Sequence, residues 1–154
     1  MTISELCNRE VVFAEPTLSI ADTARLMREH HVGDVIVAER VGHHARPLGI
    51  VTDRDIVVEV VAAGLAPESL TAGDVMGPEL AVVRENEGVF ETLRYMRVKA
   101  VRRMPVVDRD GWLLGIVTLD DLMELLAEEM GELARLISRE RHREAELRKQ
   151  SIPA

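Results

Sequence analysis

Two short segments of this chain carry the same functional side chains in the same order. Gly49-Ile50-Val51-Thr52 is followed by Asp55, and Gly115-Ile116-Val117-Thr118 is followed by Asp121, 66 positions further on. A threonine hydroxyl three residues ahead of a carboxylate, where an apolar run gives way to a charged one, fits two kinds of chemistry. In the first, the threonine caps a helix start and the carboxylate accepts the threonine's N–H in return. Such boxes favour Glu or Gln at the third position, and both copies here use the shorter Asp. In the second, a helix start with free N–H groups and a partial positive charge receives an anion. The carboxylate and hydroxyl would then hold a vicinal diol, as an acidic residue holds ribose in dinucleotide sites. Together these features describe a nucleoside phosphate, and the spacing alone leaves both chemistries open.

The elements that position these residues are also repeated. Thr23-Ala-Arg-Leu-Met27 returns as Thr92-Leu-Arg-Tyr-Met96, 69 positions on, against 66 for the Gly-Ile-Val-Thr anchor. The difference places three extra residues in a loop, Glu39 to Arg46, whose counterpart is the shorter Asp108 to Gly111. Each copy predicts a strand (Val11–Ala14; Leu80–Val83), then a helix with one apolar face (Ile20, Ala24, Met27; Val89, Leu93, Met96). A second strand follows (Val35–Ala38; Met104–Val107), then a polar turn, the Gly-Ile-Val-Thr strand and a closing helix. Ile56, Val60 and Ala63 line the first closing helix, and Gly64 is placed to end it in a left-handed cap. The second closing helix starts near Asp120 and carries Leu122, Leu126, Met130, Leu133 and Ile137 along one stripe. Beyond Ser138 the apolar face ends, and the tail reads as a solvated helical extension. The expected organisation is α+β: repeats over 1–65 and 73–130, a linker over 66–72 and a helical extension over 131–154. A unit near ~60 residues buries too little surface to stand alone, so the repeats should pack on each other.

Composition narrows the function classes. Of 154 residues, 47% are hydrophobic and 30% charged, which suits a globular chain and excludes a disordered one. Aromatic residues make up 3%, too few to stack exposed bases along a single strand. The net charge of −8 repels polyanions, so a phosphate would need a local basic cluster. The charges of the C-terminal tail are mostly offset by Glu140, Glu144 and Glu146, which argues against nucleic acid as a partner. A single cysteine, Cys7, forms no internal disulfide, and no apolar run approaches the ~20 residues that span a bilayer. The opening residues lack the order of a secretory signal. These features lead to the expectation of a reduced, cytoplasmic protein with no membrane partner.

The order strand–helix–strand–strand–helix, met twice, with Gly-Ile-Val-Thr-x-x-Asp near each end and Met104-Pro-Val-Val-Asp108 inside, resembles a tandem pair of cystathionine-β-synthase-type (CBS) domains over residues 4–130. The resemblance implies two βαββα repeats related by a pseudo-twofold axis, with two clefts that often bind adenosine derivatives such as AMP, ADP, ATP, NAD or S-adenosylmethionine. It places Thr52 and Asp55 in one cleft and Thr118 and Asp121 in the other, against ribose and α-phosphate. Ile50 and Ile116 would lie near the base. The slot before the final Asp faces the phosphates in some members; here it is Arg54 in the first copy and Asp120 in the second. Basic residues before the Pro-Val strand are matched by Arg102 and Arg103, beside Arg94, Arg97 and Lys99, whereas the first copy has Gly33 and Asp34 there.

Other candidates are weaker. His43 and His44 are adjacent, which rarely suits tetrahedral metal geometry, and no Cys or acidic partner stands at ligand spacing. His30 and His31 fit a helix end as cations against the dipole. Cys7 has no base at motif spacing. The expectation is therefore a regulatory module, not an enzyme, with an adenine nucleotide as ligand and no cofactor or metal. It would signal through a homodimer or partner surface. The alternative is a structural or dimerisation module with no physiological nucleotide.

Overall fold

The structure, a computed structural model describing residues 1–151, is built in chain order from twelve elements and one π-helical turn. They are α1 (Ile3–Leu6), β1 (Phe13–Ala14), α2 (Ile20–His30), β2 (Asp34–Val41), β3 (His44–Thr52) and α3 (Asp53–Asp55), which runs into the π-helical turn Ile56–Val61. Then come α4 (Ala72–Val75), β4 (Val83–Arg84), α5 (Val89–Lys99), β5 (Arg103–Val107), β6 (Leu113–Thr118) and α6 (Leu119–Ser151). Two three-stranded sheets form, ordered β1-β2-β3 and β4-β5-β6, each with one parallel and one antiparallel pairing. The expected α+β class with a duplicated unit is what is found. Residues 1–118 make one compact unit and the described residues from Leu119 to Ser151 a second.

The two crossover helices stop by the same local means but start differently, since α5 begins at Gly88 with no side-chain cap. Ser19 caps α2 by accepting the Asp22 N–H at 3.1 Å. Each helix ends on a left-handed residue that is not glycine, His31 (φ 53°) and Ala100 (φ 54°). Their buried faces differ from the expected stripe. Ile20, Thr23 and Met27 are buried in α2, and Val89, Thr92 and Met96 in α5, whereas Ala24 and Leu93 are only half-buried. The threonines fit the core because each hydroxyl donates to the carbonyl one turn back, Ser19 and Gly88, at 2.8 Å. In the first half that core joins Ala14, Ile20, Met27, Val35, Val37, Val51 and Val60 to Ala72 from the second.

Two further expectations are corrected. The loop from Glu39 to Arg46 is instead a hairpin: β2 runs to Val41, β3 begins at His44, and Gly42 turns the chain at φ 63°. The three extra residues lengthen a ladder rather than loosen a loop. The first closing helix is not regular, since Ala62 and Leu65 donate to the carbonyls of Val57 and Val60, five residues back. The wider turn carries Ala63 out to solvent while Val60 stays buried. Gly64 does adopt the expected left-handed conformation, at φ 68°.

The halves exchange short N-terminal arms. The N–H groups of Ile3 and Ser4 donate to Glu87 and Glu85 in the second half, and those of Ala72 and Gly73 donate to Leu18 and Pro16 in the first. Every one of these residues maps onto its counterpart by the 69-residue offset. Ile3 and Ala72 are fully buried. Both arms open with a capping box, Thr2 with Glu5 and Thr71 with Asp74. Acceptance of the Thr2 amide and hydroxyl protons keeps the Glu5 carboxyl below its ordinary pKa.

The arms also explain the glycine of the repeated stretch. A Cβ on Gly49 would stand 2.6 Å from Met76 Sδ and 2.9 Å from its Cβ. A Cβ on Gly115 would stand 2.6 Å from the Asn8 carbonyl oxygen and 2.9 Å from Cys7 Sγ. Each Gly-Ile-Val-Thr strand is thus crossed by the other half's arm.

In α6, one continuous helix through the expected boundary at 130, a Cβ on Gly131 would meet nothing within 4 Å. Gly131→Ala is expected to stabilise the helix by up to about 1 kcal/mol. Slower amide exchange around residue 131 would report it, and unchanged exchange would refute it.

Candidate functional site

The site is built at the end of β3, where the strand turns into α3. Thr52 is extended (φ −103°, ψ 161°) and its Oγ1 accepts the Asp55 N–H at 3.1 Å. Asp55 Oδ2 accepts the Thr52 N–H at 2.8 Å in return. The capping box is therefore formed, despite the shorter acid. The Asp53 N–H donates to the Gly33 carbonyl at 2.9 Å, and the Arg54 N–H to Asp53 Oδ1 at 2.8 Å. All four amides from Thr52 to Asp55 are consequently bonded within the protein. This corrects the sequence picture of a helix start with N–H groups open to an anion: the charge for a phosphate here has to come from side chains.

The side chains around the corner have mixed signs. Asp34 is the cross-strand partner of Thr52 on β2. Arg103, the partner of Thr118 on β5, reaches from the second half to form an ion pair with Asp34 through its Nη1. Asp34 and Arg103 are equivalent by the 69-residue offset, so the pair joins matching positions of the two halves. Both side chains are partly covered, 19% and 34% exposed. Arg54 is exposed, as is Arg102. A Cβ on Gly33 would lie 3.2 Å from Asp53 Oδ2, so Asp34, Asp53 and Asp55 crowd one corner.

Of the other expected residues, Ile50 pairs with Ile36 and is half-buried. Ile116 pairs with Pro105, and its backbone exchanges two 2.9 Å bonds with Asn8 of the arm. Thr118 ends β6, and Asp121 lies in the first turn of α6. The wider basic run does not converge. Lys99 sits over the Tyr95 ring at 5.8 Å, Arg94 and Arg97 are exposed on α5, and Arg103 is turned to Asp34.

Two concavities were not foreseen. One, of about 520 Å³, lies at the far end of β5 and is lined by Arg84, Glu87, Glu91, Tyr95, Asp108 and Arg109 among others. The second, of about 230 Å³, brings Arg9 and Arg40 beside His43 and His44. His44 stacks on Trp112 at 5.2 Å and Arg46 covers the same ring at 4.9 Å, so the lengthened hairpin docks on the second half. The first concavity lies within the second repeat, whereas the second one and the Trp112 cluster depend on contacts between repeats, which periodicity does not encode. Among the described residues, no three His, Cys, Asp or Glu side chains are grouped to hold a metal. No helix among them is long and apolar enough to cross a membrane.

The repeated corner with its paired sheets matches a known family model, the CBS domain, at residues 3–62 and again at 72–128. The chain belongs to the CBS-domain family. An uncharacterized protein of Methanopyrus kandleri is 36% identical over 125 residues, covering 81% of this chain and 62% of that protein. Hypoxic response protein 1 of Mycobacterium tuberculosis is 35% identical over 127 residues, covering 82% of this chain and 86% of that one. The crystal structure of Hypoxic Response Protein I, with two coordinated zinc ions, superposes with a TM-score of 0.71 at 33% identity, covering 80% of this chain and 98% of that one. A CBS domain protein of Pyrobaculum aerophilum complexed with AMP gives 0.70 at 26% identity, covering 79% and 89%.

Proposed function

We propose that this CBS pair is a regulatory module that binds an adenosyl nucleotide at the Thr52–Asp55 corner and signals through a homodimer or partner surface. One observation carries the reading. The cap uses Thr52 Oγ1 only as an acceptor and Asp55 only through Oδ2. A hydroxyl proton and a carboxylate oxygen remain for a ribose diol, already held in place by the cap. Capping and binding are then one device: the box preorganises the groups that take the sugar. Arg54 supplies exposed positive charge for a phosphate, where the second copy has Asp120. Binding of AMP by the Pyrobaculum aerophilum relative supports the ligand class.

Asp55→Asn keeps an acceptor for the Thr52 N–H but loses the charge-assisted bond to the diol, which is the stronger kind. AMP affinity by titration calorimetry is expected to fall about tenfold, a loss of ~1.4 kcal/mol, with little change in melting temperature. Asp121→Ala should spare this tighter event. Unchanged affinity together with a melting loss of cap size, ~1 kcal/mol, would make the corner structural.

A second reading, a structural pair without a nucleotide, is favoured by the filled amides and by the three aspartates at the corner. Thermal shift with AMP, ATP, NAD and S-adenosylmethionine separates the two. A ligand at ~100 times its Kd adds about 2.7 kcal/mol, and no shift with any of them would leave the structural reading standing.

A further inference from the structure

The family match ends at residue 128, yet α6 continues to Ser151, and an uncovered apolar stripe runs from within the matched part into the added length. Met123, Met130, Leu133, Ile137 and Leu147 are each 51–70% exposed. With the half-buried Leu126, the residues at 123, 126, 130, 133 and 137 alternate in steps of three and four. That spacing is the seam of a helix that packs along another helix.

Charge identifies the occupant. From Leu119 to Ala134 the helix holds six acidic residues and no basic one. From Arg135 to Ser151 it holds six Lys or Arg and three Glu. A helix acidic at its start and basic at its end complements itself when reversed. We propose that α6 pairs antiparallel with α6 of a second copy of this chain, with Leu133 set against the partner's Ile137 and Met123 against the partner's Leu147. The same register sets Glu129 near the partner's Arg143 and Asp120 near the partner's Arg148. Glu140 and Glu144 continue the same spacing; the antiparallel register sets them against the partner's Met130 and the partner's Leu126, whereas a parallel pair would align the acidic segments and face both glutamates with their own copies. Like charges so placed oppose pairing.

This pairing specifies the surface of the homodimer proposed above, and the experiment separates failure of the two. In the full chain with Cys7→Ala, one tagged version carries Met123→Cys and a second carries Leu147→Cys. After mixing at micromolar concentration, a short bifunctional thiol reagent is expected to link 123 to 147. Dominant 123–123 or 147–147 links would overturn the antiparallel arrangement. Dimers by light scattering that show no link would overturn α6 pairing alone, whereas monomers would overturn the homodimer as well. Independently, Leu133→Glu with Ile137→Glu should weaken association at least about a hundredfold with the circular dichroism unchanged, because both side chains are exposed. Unaltered association would refute the proposal. Added salt should also weaken the wild-type dimer.

Discussion

Asp34→Asn is expected to strengthen binding of phosphorylated nucleotides by about tenfold or more, the scale of one partly screened charge removed within several ångströms. In the structure Arg103 spends its guanidinium on Asp34, the residue directly across the ladder from Thr52. A phosphate at this corner must either share Arg103 with a carboxylate or rely on Arg54. Neutralising Asp34 removes the competitor and a repulsive charge together. Titration of AMP and adenosine in parallel is the measurement, since only the phosphorylated ligand should gain. Equal gains for both would point to a change of shape, and no gain for AMP would remove Arg103 from the site. The pair is partly exposed, so the stability cost should stay within ~1 kcal/mol.

Gly115→Ala should cost about 3 kcal/mol, at the upper end of overpacking. The new methyl group would collide with the Asn8 carbonyl oxygen, a backbone atom that also accepts the Ile116 N–H. Moving it away breaks the arm's two-bond bridge. Gly49→Ala meets only the Met76 side chain, which can shift in part, so its cost should be smaller. Urea unfolding of both variants tests the order. Equal losses, or a smaller loss at Gly115, would mean that the arm adjusts freely.

Elements set by local pattern were legible from the sequence. The duplicated order, both crossover helices, the Gly-Ile-Val-Thr strands and the Gly64 cap follow from periodicity, turn residues and the two offsets. What depended on partners distant in sequence was not legible. Thr23 and Thr92 were missed for a different, local reason: a count of apolar residues passes over a threonine whose hydroxyl is satisfied by the carbonyl one turn back. The polar residues from Glu39 to Arg46 hide a ladder whose far end is held against Trp112. The arms read as a chain start and a linker because the backbone groups they bond, from Leu18 for Ala72 to Ile116 for Asn8, lie 54 to 108 residues away along the chain. At the corner, the Thr-x-x-Asp box was readable as an alternative, but the Asp34–Arg103 pair was not. The two positions were recognisable as equivalents, yet only the packing of the halves brings equivalents into contact.

The exchanged arms also govern how the chain can be divided. A single break in the exposed turn at Gly64 would leave α1 on one fragment and its docking site on the other, with α4 placed the opposite way. Such a nicked protein should remain one particle until both sheets unfold, because neither fragment can leave without baring the other's core. A repeat expressed alone would carry an arm without a dock and a dock without an arm. A second copy supplies both at once, so the isolated repeat is set up to associate by mutual swapping, and the stretch between the repeats turns that intermolecular exchange into an intramolecular one.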